Sequence, residues 1–181
     1  MILAVDVYYF DDKARAVGLL FERWQDESAQ ETLTADIESV EEYTPGEFYK
    51  RELPCIMAIL NKLEVASLEG IVVDGYVYLD DQERPGLGKR LFDKLNENIP
   101  IIGVAKTAFH GNKVNVLEVS RGGSKKPLYV SAVGMDLEVA ADLIQNMHGQ
   151  HRMPNILKHL DTLTKAVTVS FNTDSHGLYK K

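Results

Sequence analysis

Four acidic residues, Asp6, Glu52, Asp74 and Asp161, occupy positions where acids are awkward. Asp6 falls inside Ile2-Leu3-Ala4-Val5-Asp6-Val7-Tyr8-Tyr9, and Asp74 ends the run Ile71-Val72-Val73. Both runs read as buried strands, where aspartate has poor propensity and an unpaired charge is costly. Acids converging on one point raise one another's pKa, so such a group needs a cation. Carboxylate oxygens suit hard octahedral Mg²⁺, and a bound divalent ion can activate water and stabilise a leaving oxygen in phosphodiester hydrolysis. Each acid alone has a plainer reading. Asp6 could cap or pair within the sheet, Glu52 could be an exposed helix residue, and Asp161 could form a surface ion pair with Lys158. Taken together, the acids favour a metal site.

The elements that must position them follow from periodicity. Ile2 to Tyr9 and Ala16 to Trp24 flank the turn-like Asp11-Asp12-Lys13, and Glu31 to Val40 adds a weaker third strand, giving an antiparallel meander. Pro45-Gly46 punctuates the chain, after which Phe48, Glu52, Ile56, Ile59, Leu60 and Leu63 recur at helical spacing, with Pro54 early in the helix or marking a bend. A strand from Gly70 to Leu79, a helix from Leu87 to Asn96 and a strand from Ile101 to Lys106 make a β-α-β unit. Val114 to Val119 and Leu128 to Val133 read as strands around Arg121-Gly122-Gly123-Ser124, followed by helices over Leu137–His148 and Asn155–Ala166. The expected fold class is α/β or α+β, a mixed sheet flanked by helices, with ligands favouring the carboxyl ends of strands. One domain is expected over 1–170, with 171–181 a tail or edge strand.

Composition narrows the class further. No apolar stretch approaches the roughly 20 residues of a membrane span, and the start lacks the charged region of a secretory signal, so a cytoplasmic protein without a membrane partner is expected. The single cysteine, Cys55, lies beside Ile56 and Met57 and reads as a buried structural thiol. The net charge of −7 opposes nucleic-acid binding at first sight, but the excess of acid lies within residues 1–52. Lys106, Lys113, Arg121, Lys125 and Lys126 could form a local positive edge or merely a solvated face. His151 and His159 are not spaced to share a helix face beside the acids, and Gly86-x-Gly88 is too short for a nucleotide loop.

The block Tyr43-Thr44-Pro45-Gly46-Glu47-Phe48-Tyr49-Lys50-Arg51-Glu52 resembles the Y-x-P-G-x-x-x-x-R-E segment of the endonuclease V family. Val5-Asp6-Val7-Tyr8-Tyr9, Val72-Val73-Asp74-Gly75 and Ile102-Gly103-Val104-Ala105-Lys106 are similar to further blocks of that family, in its order. So are Pro127-Leu128-Tyr129-Val130-Ser131 with Val133-Gly134, and Arg152-Met153-Pro154 ahead of Asp161. The resemblance implies a ribonuclease H-like fold and a Mg²⁺- or Mn²⁺-dependent endonuclease that hydrolyses a phosphodiester bond near inosine in DNA or RNA. It implies Asp6 and Asp74 as primary ligands, with Glu52 and Asp161 completing the shell, and Lys106 as the lysine that stabilises charge on the scissile phosphate. Tyr43 matches the wedge that fills the gap left by an extruded base, Pro45-Gly46 would direct it, and Gly75 would admit the base closely. Without the resemblance, Lys106 could snorkel to solvent and Tyr43 could pack as a staple before the helix. No protein partner is implied, and a monomer is expected.

The pattern departs from the family around the base pocket. Val77 replaces a second glycine, Asp80 or Asp81 stands about where a histidine belongs, and Gln82-Glu83-Arg84-Pro85-Gly86-Leu87-Gly88 keeps Arg84 and the later glycines. Two alternatives stay open on this footing: a nuclease of the same fold with altered lesion or structure preference, and a non-catalytic nucleic-acid-binding module.

Overall fold

The structure, a computed structural model, describes residues 1–42 and 44–175, with 167–175 as backbone only. Its strands are β1 (Ile2–Phe10), β2 (Lys13–Phe21), β3 (Glu31–Ile37), β4 (Gly70–Asp74), β5 (Ile101–Ala105), β6 (Leu117–Val119) and β7 (Leu128–Val133). Its α-helices are α1 (Tyr49–Leu60), α2 (Leu87–Lys94), α3 (Leu137–Gln145) and α4 (Asn155–Ser175). The described strands form one mixed sheet in the order β3-β2-β1-β4-β5-β7-β6. The meander β1-β2-β3 is antiparallel, β1, β4 and β5 run parallel, and β7 returns antiparallel to β5.

Alternation along the central strands assigns the two faces. Leu3, Val5, Val7, Ile71 and Val73 pack on one side with Cys55, Ile56, Ile59 and Leu91 of α1 and α2. Ile2, Ala4, Val72, Ile102 and Val104 pack on the other with Ile144, Ile156, Leu157 and Leu160 of α3 and α4. Both faces are covered, which is why these short strands read as continuous apolar runs rather than alternating ones. The same alternation places Asp6 and Asp74 on the α4 side, whereas Glu52 arrives on α1 from the opposite face.

The three parallel strands end together. The ladder between β1 and β4 stops at Val5 and Val73, one residue before Asp6 and Asp74, and Lys106 follows the last residue of β5. Ligands of such sheets gather at the carboxyl ends of parallel strands.

Several boundaries differ from the sequence expectation. β2 begins at Lys13 because Asp11, at φ 51°, makes the hairpin turn tighter than a three-residue loop. β4 stops at Asp74 rather than Leu79, since Gly75 turns the chain at φ 129°. β6 starts only at Leu117, because Asp81 Oδ1 accepts hydrogen bonds from the Lys113 and Val114 amides and diverts that stretch. α4 continues past Ala166 to Ser175, with no glycine or proline to break it, so 171–175 are helical rather than a tail or edge strand. Residues 176–181 lie outside the described residues.

Arg121 does not belong to a positive edge. It is 5% exposed, and its guanidinium donates to the carbonyls of Met147 (2.6 Å), His151 (2.8 Å) and Gly149 (3.1 Å) in the α3–α4 connection. Cys55 is fully buried, with its thiol pKa raised to about 11 by burial and then by the neighbouring Glu52, which suits packing rather than nucleophilic attack. Among the described residues, no helix is long and apolar enough to cross a membrane.

Candidate active site

Asp6, Asp74, Lys106 and Asp161 line one cleft of about 330 Å³, whose floor is Val5, Val72 and Val104 and whose wall is Leu157 and Leu160 of α4. Asp74 also lines an open groove of about 920 Å³ together with Glu52, Gly46, Gly75, Phe48, Tyr76 and Phe109. Cleft and groove therefore share Asp74, with Glu52 reaching the same region from α1 at the carboxyl ends of the strands.

The acids differ sharply in their surroundings. Glu52 is 6% exposed, and burial pushes its pKa to about 8, with Asp6 and then Asp74 adding to the effect. No hydrogen-bond donor or cation among the described residues offsets that rise. Asp6 is raised to about 6, first by burial and then by Asp74, against donors that favour its charge. Its Oδ1 accepts from the Val7 amide at 2.9 Å, and its Oδ2 from the Thr164 hydroxyl at 3.1 Å. Asp74 was expected to be buried, yet its side chain is 45% exposed, because it sits at the open mouth where β4 ends. Asp161 is partly desolvated, but hydrogen bonds from Lys165 (2.8 Å) and Lys106 (3.1 Å) outweigh this and hold its carboxyl below the usual range.

Lys106 thus bridges Asp161 and, at 3.9 Å, Asp74 rather than snorkelling to solvent. Its backbone is pinned as well, since Arg152 Nη2 donates to the Lys106 carbonyl at 2.5 Å and to the Pro127 carbonyl at 2.7 Å. Asp161 turns to these lysines and not to Lys158. Among the described residues, no three acid, imidazole or thiol side chains close on one point in this conformation. The donor chemistry nevertheless fits a hard divalent cation: the set is all carboxylate, and its most buried member, Glu52, lacks positive charge nearby.

The groove beside the acids is largely apolar. Phe48 and Phe109, both more than 40% exposed, stand at it, and Phe109 meets Tyr76 edge-on at 5.9 Å. Gly46 (φ 81°) and Gly75 (φ 129°) line it with open space where a side chain would stand, so a ligand can approach their backbone closely. Pro45 shapes the turn with Gly46. Tyr43 lies outside the described residues.

The departures from the family pattern turn out to be absorbed by the scaffold. Val77 is fully buried in the core on the α1 and α2 side, and its side chain fills the space above Gly88, where an added Cβ would meet Val77 Cγ2 at 2.7 Å. Asp80 is occupied by a local turn, accepting from the Gln82 and Arg84 amides at 3.1 and 3.0 Å. Asp81 holds the Lys113–Val114 stretch, as described above. Neither carboxylate is left as bare charge beside the groove.

The loop after β4 rests directly on β5. Ser131 Oγ, buried on β7, accepts from the Val77 amide at 2.9 Å, and a Cβ on Gly103 would meet the Gly75 carbonyl at 2.5 Å and Ser131 Oγ at 2.7 Å. Gly103→Ala is therefore expected to lower the unfolding free energy by about 1 to 3 kcal/mol, the usual range for overpacking, as measured by the urea midpoint. An unchanged midpoint would mean that the Gly75–Val77 loop is not held in this close contact.

Thr164, Lys165 and Phe109 escaped the reading of the sequence, and Arg152 entered it only as part of a family block, without its contact to Lys106. A signal existed for Thr164: it continues the buried α4 stripe of Leu157 and Leu160, where a polar side chain needs a partner. Lys165 follows Asp161 at the i,i+4 spacing of a helical ion pair. Phe109 gave no local sign.

A sequence profile described as endonuclease V matches residues 1–162. No curated protein matches at the sequence level. Among solved structures, the chain is similar to the Ciona intestinalis endonuclease V in complex with a 24mer DNA containing an inosine followed by a ribo-adenosine. That match has a TM-score of 0.77 and 17% identity, covering 94% of this chain and 86% of that one. Similarity to the Streptomyces avermitilis endonuclease V has a TM-score of 0.72 at 24% identity, covering 94% and 82% of the two chains. For human ENDOV the TM-score is 0.73 at 20% identity, with 94% and 85% covered. The seven-stranded mixed sheet flanked by helices is the ribonuclease H-like fold of these structures. By the extent of the profile match, which takes in every block from Asp6 to Asp161, the chain belongs to the endonuclease V family.

Proposed function

We propose that this protein is a Mg²⁺- or Mn²⁺-dependent endonuclease that hydrolyses a phosphodiester bond near inosine in DNA or RNA. The observation that carries the reading is the continuity, through Asp74, between a cleft lined by three carboxylates and Lys106 and a largely apolar groove that holds Glu52 and exposed aromatic rings. In this reading Asp6 and Asp74 hold the ion directly, and Glu52 and Asp161 complete its shell. Bound there, a divalent ion supplies Lewis-acid activation of water and charge stabilisation at the leaving oxygen.

The remaining work falls to the chain's own groups. Lys106, fixed at its backbone by Arg152, offers a cation to the scissile phosphate once its carboxylate partners turn to other ligands. Gly46 and Gly75 let an extruded base lie against the backbone, and Tyr76 and Phe109 offer ring edges and faces beside it. The family resemblance gives Tyr43 the role of filling the space the base vacates. The family match and the inosine-containing DNA in the Ciona complex support the substrate. We expect the protein to act as a monomer in the cytoplasm.

The test is cleavage of end-labelled single-stranded and duplex oligonucleotides, with and without one inosine, in Mg²⁺, Mn²⁺ and EDTA. EDTA-sensitive nicking confined to inosine substrates is the expected result. Metal-dependent nicking without inosine preference would point to altered lesion or structure specificity. Binding without scission at any metal concentration would leave only a nucleic-acid-binding module.

A further inference from the structure

Thr164 sits on α4, 1% exposed, in a helix stripe that otherwise buries leucines. Its hydroxyl lies 3.1 Å from Asp6 Oδ2 and 3.0 Å from the Asp161 carbonyl, one turn back on its own helix. A hydroxyl has one proton, and the Asp6 carboxylate is the stronger acceptor. With the Val7 amide donating to Oδ1, each oxygen of Asp6 then receives one donor. Two donors on two oxygens fix the plane of the carboxylate and leave its remaining lone pairs for the cleft. The bond joins residues 158 apart in sequence, so it also ties the opening strand to the helix that carries Asp161.

We infer that Thr164 is a positioning residue for the metal site, orienting Asp6 and setting its separation from Asp161. The inference rests on the proposed metal site at Asp6. Outer partners of ligating carboxylates influence affinity strongly, and losing one typically weakens metal binding by about 10- to 100-fold. Thr164→Val is nearly isosteric and keeps the β-branch while removing the donor, whereas Thr164→Ser keeps the donor and loses a methyl group.

The experiment is Mn²⁺ titration of the full chain by calorimetry at pH 8, with wild type, Thr164→Val, Thr164→Ser and Asp6→Asn compared and folding checked by circular dichroism. The expected result is a Mn²⁺ dissociation constant raised about 10- to 100-fold in Thr164→Val and restored to within about threefold of wild type in Thr164→Ser. Equal affinity in wild type and Thr164→Val would overturn the inference while leaving the metal site standing. So would equal weakening in Thr164→Ser, since that would trace the effect to packing. Absence of saturable Mn²⁺ binding in wild type, matching Asp6→Asn, would overturn the metal reading itself and this inference with it. A Thr164→Val protein that fails to fold is replaced by Thr164→Ala, read against Thr164→Ser by the same criterion.

Discussion

Asp74→Ala is expected to yield a folded protein that no longer cuts, its single-turnover rate on an inosine substrate falling by about 10³-fold or more. That scale corresponds to several kcal/mol of lost charge stabilisation at the reacting phosphate. Among the described residues, Asp74 is the acid common to the cleft and the groove, so it is the one placed to act between an ion and a bound base. Its contribution to folding is small by contrast. The side chain is 45% exposed and its contact with Lys106 is 3.9 Å long, so alanine should move the unfolding free energy by less than about 1 kcal/mol. Asp74→Asn, which keeps the volume and removes the charge, should be as inactive as alanine. Divalent-dependent cutting retained by either variant would remove Asp74 from the mechanism.

That separation of activity from stability reflects how the site is built. Its groups project from the ends of strands whose apolar residues do the folding, and those apolar runs were legible because burial on both faces leaves a continuous hydrophobic signature. β1, β4, β5 and β7 could be read in this way, and the acids stood out against them. The family blocks then placed Glu52 and Lys106, which periodicity alone would have assigned to a helix surface and a strand end. What stayed hidden was long-range. The Thr164–Asp6 bond, the Arg152 contact to the Lys106 carbonyl and the five carbonyls gathered by Arg121 depend on distances between segments far apart in the chain. Val77 misled for a related reason. A valine in place of glycine suggests a change at the base pocket, but after the turn at Gly75 the Val77 side chain enters the core, leaving Gly75 at the groove. Asp80 and Asp81 likewise read as charge near the substrate until their backbone partners are seen.

Glu52→Gln is expected to stabilise the metal-free protein at pH 8 while abolishing its response to divalent ions. Burial raises Glu52 from 4.5 to about 8, and the raised carboxyl sets the sign. Its favourable contribution is fully present below pH 4.5 and is lost as pH rises from there through about 8, because the unfolded state ionises and hydrates its carboxylate while the folded state still holds the proton. Each tenfold change in proton affinity is worth about 1.4 kcal/mol, so the ionised fold carries a penalty of up to roughly 5 kcal/mol, and relaxation around the site makes about 2 kcal/mol a realistic difference from glutamine. Asp6, raised to about 6, adds a loss of the same sign at lower pH in both proteins. Urea denaturation in EDTA should therefore show wild type losing stability between pH 5 and pH 8 more steeply than Glu52→Gln. Wild type should recover on adding Mn²⁺ at pH 8, by about 2.7 kcal/mol at a hundredfold excess over the dissociation constant, and much less at pH 5, where protons compete for the same oxygens. Equal pH slopes in the two proteins would mean that Glu52 ionises without penalty and that the folded site already supplies the charge it needs.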